Sequence, residues 1–151
     1  MLLSQKCQYA LRAVFELTRR VGQGPVKIGD IADAQAIPVR FLEVILSQLK
    51  QGGFVESRRG NEGGYFLIRS PEGLTVGEII RFVEGPIGPV GCLADKTTDR
   101  ESCPLRGDCV FLDMWDQVRQ AVEGVYDSTS LQDLVNRDRS RREDYIASYC
   151  I

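Results

Sequence analysis

The chain has 151 residues, enough for one compact domain with at most a small appendage. Its 43% hydrophobic and 26% charged residues exclude wholesale disorder, and no apolar run approaches the roughly 20 residues that cross a bilayer. The net charge of −2 hides an asymmetry: residues 1–70 carry ten Lys and Arg against six Asp and Glu, and residues 71–151 nine against fifteen. Such a split fits a basic, nucleic-acid-facing module beside an acidic one. Lys6, Arg12 and Glu16 interrupt the apolar start, which does not read as a signal peptide, so a cytoplasmic location is expected.

In chain order, Ser4 is placed to cap a helix whose inward face is Cys7, Ala10, Leu11, Val14, Leu17, Thr18 and Val21. Gly22 and Gly24-Pro25 end it. A short helix from Ile28 to Gln35 follows, then a tight turn at Ala36-Ile37. Pro38 suits the first position of a third helix that runs to about Gln51. Phe41 or Leu42, with Ile45, Leu46 and Leu49, form its apolar face, leaving Val39, Arg40, Glu43, Ser47 and Lys50 to solvent. Phe54–Ser57 and Tyr65–Ile68 read as two short strands joined by a glycine-rich loop that carries Arg58, Arg59 and Gly60.

Thr75-Val76-Gly77-Glu78 fits a capping box, and the helix it starts ends at Gly85-Pro86. Residues 85–108 have no periodicity, and a connection of that length is usually functional or disordered. Beyond it, Phe111, Trp115, Val118, Val122 and Val125 recur at alternating steps of four and three, the seam of a helix that packs along another helix. Thr129 or Ser130 can cap a last short turn with Leu131, Leu134 and Val135. The charged tail from Asn136 is expected to be only partly ordered.

Helix, short helix, turn, amphipathic helix and a hairpin with a basic tip are the elements of a winged helix-turn-helix. The fold class expected is mainly α with a small β-hairpin, a winged helix-turn-helix plus a long helix that packs along another helix. Glu43 can accept from a cytosine amino group, and Arg40 can meet base edges beside it. Arg58 and Arg59 can reach phosphates or a narrow minor groove.

The segments Lys6-Cys7-Gln8-Tyr9-Ala10-Leu11-Arg12, Ile37-Pro38-Val39-Arg40-Phe41-Leu42-Glu43 and Arg59-Gly60, followed by Gly63-Gly64-Tyr65, closely resemble the Rrf-type family of bacterial winged-helix transcription regulators (IscR/NsrR/CymR-like). Thr75–Ile80 and Val83-Glu84-Gly85-Pro86 resemble the family's next block, and the likeness extends over about residues 1–126. It implies a homodimer on a palindromic DNA operator, with the long helix crossing its partner through Phe111, Trp115, Val118, Val122 and Val125. The DNA-facing set expected is Ser4, Tyr9, Pro38, Val39, Arg40, Glu43, Arg58, Arg59 and Gly60. Glu43 matches a base-reading Glu and Arg59 the wing arginine.

Histidine is absent, which removes Ser-His-Asp triads, Cys-His dyads and His-ligated zinc. The cysteines are Cys7, Cys92, Cys103, Cys109 and Cys150, an odd set that points to metal ligation or thiol chemistry rather than a disulfide framework. With neither a CxxC pair nor a histidine, the chain is not read as an enzyme. Cys92, Cys103 and Cys109 occupy the place where many members of the resembled family hold an iron–sulfur cluster, and thiolates suit either a cluster or zinc. Ten residues separate Cys92 from Cys103, a long spacing. Where some members have a histidine ligand this chain has Leu112, and where others have an acid from the partner it has Gln8. Cys7, Asp108 or an exogenous group remain for the fourth position, and the spacing does not decide between two irons and four.

The expected layout is a DNA-binding unit over 1–84, a cysteine-bearing sensor loop over 85–109, a dimerisation region over 110–135 and a charged tail over 136–151. The expected function is a homodimeric repressor that senses redox state, nitric oxide or iron through the 92–109 segment. The alternatives are a thiol- or metabolite-responsive regulator without a cluster, and a winged-helix protein-interaction module that binds no DNA.

Overall fold

A computed structural model describes residues 2–94, 105 and 108–149. The order is α1 (Gln5–Arg19), α2 (Ile28–Gln35), α3 (Val39–Gln51), β1 (Val55–Arg58), β2 (Gly64–Leu67), α4 (Val76–Glu84), α5 (Gly91–Ala94), α6 (Leu112–Ser128) and α7 (Leu131–Tyr149). The Ser4 hydroxyl accepts from the Cys7 amide at 3.1 Å and starts α1. Because α1 ends at Arg19, Val21 lies beyond its last turn and is exposed, not inward as the spacing predicts.

Ala10, Ala13, Val14 and Leu17 of α1 meet Ile31 and Ala32 of α2 and Leu42, Ile45, Leu46 and Leu49 of α3 in one core. Leu42 is the buried member of the Phe41/Leu42 pair; Phe41 is 47% exposed. The antiparallel hairpin pairs Val55 with Leu67 and Arg58 with Gly64. Val26 extends it through reciprocal 2.8 Å hydrogen bonds with Tyr65. A Cβ on Gly64 would lie 2.4 Å from the Val26 carbonyl oxygen, so glycine lets the strand lie against that segment.

Thr75 and Glu78 form the predicted capping box at the start of α4. The chain then leaves the core through α6 and returns. The end of the chain differs from the short turn and loose tail expected: Ser130 and Asp133 exchange cap hydrogen bonds of 2.9 and 3.0 Å, and the helix they start runs 19 residues. Leu131 is fully buried in the α1–α3 core with Leu134 at its edge, and Val135 is buried as well. Arg19 of α1 reaches Asp138 of α7 at 3.6 Å, and Asp138 also pairs with Arg142. Local charge pairing and one apolar stripe thus sustain a helix in a segment whose composition alone suggests disorder.

Candidate nucleic-acid interface

The turn between α2 and α3 rests on Ala36, the only non-glycine residue with positive φ among those described (φ 49°, ψ 52°). Buried Ile37 anchors it by donating its amide to the Ala32 carbonyl at 2.9 Å. Pro38 stands at the N-cap of α3, one position before the expected one, and no side chain caps the first turn. Val39, Arg40, Glu43, Ser47 and Lys50 are all exposed on the side of α3 away from the core, as expected. Among the described residues Glu43, Arg58 and Arg59 have no ion-pair partner. That leaves their charges available to a ligand.

The Arg40 guanidinium lies 4.8 Å from the centre of the Phe41 ring, and the Phe41 and Tyr9 rings are 6.4 Å apart. The Arg12 guanidinium lies 5.7 Å from the centre of the Tyr9 ring. Stacking of this kind restrains a long cation while leaving its edge donors free. Tyr9, Phe41, Val44 and Ile45 line an apolar groove of about 470 Å³ next to the start of α1. The exposure of Phe41 and Val44 escapes a helical-period reading, because both sit at the margin of the apolar face.

The hairpin tip carries Arg59 and Gly60 (φ 108°), with the Gly63 amide donating to the Gly60 carbonyl at 3.0 Å. A Cβ on Gly63 would lie 2.3 Å from the Arg58 carbonyl oxygen, so the turn requires glycine there. Lys50, at the end of α3, donates to Glu56 at 2.6 Å and to Ser57 at 2.7 Å. It tethers α3 to the hairpin, and Lys50 with the Ser57 amide holds the Glu56 carboxyl below its ordinary range. Ser4 is differently occupied: besides capping α1, its amide donates to Glu84 at 3.0 Å and its hydroxyl also bonds that carboxylate.

None of the residues of α6 is buried. Phe111 precedes it and is 58% exposed; Met114, Val118, Ala121 and Val125 continue an exposed stripe at steps of three and four. The stripe overlaps the predicted seam but is rotated. Val122 packs with Tyr126 against Ile80 and Ile87 of its own chain, and Trp115 is half-buried. The foot of α6 is tied to α4: Val76 donates its amide to Thr129 at 3.0 Å, and Arg81 grips Asp127 through two bonds of 2.6 and 2.8 Å. Arg81 also donates to Glu123 at 3.2 Å, and Arg119 holds the same carboxylate at 2.7 Å. These bonds raise the Arg81 pKa further and lower that of Asp127. No local motif announces a pair 46 positions apart.

Cys92 lies on α5, which packs on α6, and Cys109 lies just before α6, its carbonyl accepting from Leu112 at 3.1 Å. Both thiols are free and half-buried. Cys103 and Cys150 lie outside the described residues, among which no group of three metal-binding side chains is assembled. Thiols on neighbouring elements are donors of the right type for a soft metal or a cluster. Cys7 is a poor candidate for the fourth ligand. It is fully buried against Ile80 and Ile87, and burial, with nearby Glu84, pushes its thiol up to about 11. Among the described residues no helix is long and apolar enough to cross a membrane.

Comparison with known proteins agrees with this geometry. The family described as "Rrf2: Iron-dependent Transcriptional regulator" matches residues 3–137. The chain is 36% identical over 146 residues to the HTH-type transcriptional regulator CymR of Bacillus subtilis, covering 97% of this chain and 98% of CymR. It is 32% identical to the IscR regulator of Photorhabdus laumondii over 136 residues, 90% of this chain and 80% of that one. The solved structure of CymR, described as the global cysteine regulator of B. subtilis, superposes with a TM-score of 0.74 over 91% of this chain and 98% of CymR. The chain therefore belongs to the Rrf2 family of winged-helix transcriptional regulators.

Proposed function

We propose that the protein works as a homodimeric transcriptional repressor, each subunit placing α3 in the major groove of one half of a palindromic operator and its wing on the adjacent backbone. The observation that carries this reading is the set of exposed charges on α3 and the hairpin, Arg40, Glu43, Arg58 and Arg59, none of which has an ion-pair partner among the described residues. Glu43 reads a base edge, Arg40 supports it from its stack on Phe41, and the wing arginines neutralise phosphates. Dimerisation is supported by α6, a 17-residue helix with no fully buried residue, which with Phe111 just before it exposes the Phe111, Val118 and Val125 stripe. A helix of that kind is stable when a second copy covers it.

The sensor is assigned to Cys92, Cys103 and Cys109, which would hold an iron–sulfur cluster as three thiolate ligands. When bound, such a cluster supplies a centre reactive to oxidants, nitric oxide and iron supply. The segment leads directly into α6, so a change in its packing tilts the helix and changes the separation of the two recognition helices. A second reading, a thiol- or metabolite-responsive regulator without a cluster, draws loose support from the 36% identity to CymR, whose solved structure is described as that of a cysteine regulator. The visible spectrum of anaerobically purified protein, with iron and acid-labile sulfide counted on the same sample, separates the two. Colour that is lost in Cys103→Ala supports the cluster; a colourless protein without iron or sulfide after reconstitution leaves the thiol reading. DNA binding is tested separately by the salt dependence of operator affinity, since phosphate contacts release counterions.

A further inference from the structure

The geometry points to Arg81 as the positioning residue that sets the angle of α6 against the DNA-reading body, and thereby the half-site spacing a dimer accepts. This rests on the dimeric reading given above. Near its foot α6 packs on α4, where Val122 and Tyr126 lie against the cluster of Ile80 and Ile87. Apolar contacts of that kind tolerate small rotations. A planar guanidinium held by both oxygens of one carboxylate does not, because both bonds must stay aligned. Arg81 makes that fork to Asp127 and reaches Glu123 one turn further along α6.

The contact is built closely. Gly77 is buried directly beneath it, and a Cβ there would lie 2.0 Å from the Asp127 carboxylate. Beside the clamp, Arg81, Ile87, Leu93, Arg119 and Glu123 line an open cavity of about 440 Å³. From Asp127 to Phe111 the helix extends about 24 Å, and a tilt of about 10° moves its far end by about 4 Å. That displacement is roughly one base-pair step of ~3.4 Å.

The test uses full-length protein and a half-site selected from random-sequence duplex DNA. Affinity is measured for duplexes whose two half-sites are moved apart or together one base pair at a time, and for a duplex with a single half-site. Wild type should lose affinity about tenfold per base pair of displacement. In Arg81→Met this penalty should shrink to about twofold, with single half-site affinity unchanged. Asp127→Asn should behave in the same way. Arg81→Lys keeps the charge without the fork and should fall between; it carries the test if Arg81→Met fails to fold by circular dichroism. Retention of wild-type spacing selectivity in these variants overturns the assignment. So does an equal loss on single and paired sites, which marks a merely structural role. A wild-type protein that is monomeric by light scattering, or indifferent to spacing, overturns the dimeric reading and the clamp with it.

Discussion

Gln35, the last residue of α2, donates a 2.8 Å hydrogen bond to the buried carboxylate of Glu16 on α1. Arg20 and Arg19 complete its shell at 2.7 and 3.0 Å, and Arg19 in turn reaches Asp138 on α7. Glu16 therefore joins three helices at the residue that precedes the helix-turn-helix turn.

This arrangement predicts a pH-dependent stability. Burial pushes the Glu16 carboxyl upward, but the bonds from Gln35 and Arg20 and the charges of Arg19 and Arg20 outweigh it, leaving the folded value low. Glu16→Gln should lower the unfolding free energy by about 2–4 kcal/mol near neutral pH. The wild-type advantage is complete above the unfolded value of about 4.3 and is lost as pH falls through the folded value. Urea titrations from neutral pH down to about pH 3 should show the two proteins converging. A constant gap would contradict the ionic origin.

The interface makes a prediction about two kinds of DNA contact. Arg59→Ala should weaken binding to every sequence and reduce the salt slope by about one unit. Glu43→Ala should instead relax preference at one base position, with about 1–3 kcal/mol of discrimination lost. Competition titrations against single-base operator variants distinguish them. Unchanged selectivity in Glu43→Ala would remove the base-reading role.

How far the residues alone disclosed this site depends on the range of the interaction. Local signals were sufficient for Ser4, for the Thr75/Glu78 box and for the α2–turn–α3 unit, because caps and short periodic runs are decided by neighbours in sequence. The rotation of the α6 stripe was not legible. Trp115 and Val122 fit a heptad as well as Met114 and Ala121 do, and only the packing of Ile80 and Ile87 takes Val122 inward. The Arg81–Asp127 fork and the Arg19–Asp138 contact likewise arise from tertiary approach. The length of α7 was missed because charge density reads as solvation, while its Leu131 and Val135 anchors are few.

The rotated stripe has its own test. Val118→Asp, at an exposed position, should shift the protein toward monomer with little change in monomer stability. Val122→Ala, which opens space beside Ile80, should destabilise the fold by about 0.5–2 kcal/mol and leave association largely intact. Light scattering and thermal unfolding of both variants provide the comparison. Reversed outcomes would place Val122, rather than Val118, against the partner.

The cysteines should differ sharply in reactivity. At about pH 8 a thiol pushed up to about 11 and fully buried is almost entirely protonated, so native alkylation should spare Cys7 while modifying Cys92 and Cys109. Mass spectrometry after brief iodoacetamide treatment of metal-free protein reads this directly. Early modification of Cys7 would mean that α1 opens from α4 on that timescale.

Leu131 lies beyond α6 in the chain yet fills the core formed by α1, α2 and α3. A ribosome emits these parts in order, so the nascent DNA-reading unit stays unfinished until the whole α6 arm has been made and Leu131 follows it into place. Fragments cut short within the arm have a hole where that side chain belongs. On the dimeric reading proposed above, translation itself thereby keeps a half-made subunit from completing its DNA-reading unit before it carries the helix that meets its partner.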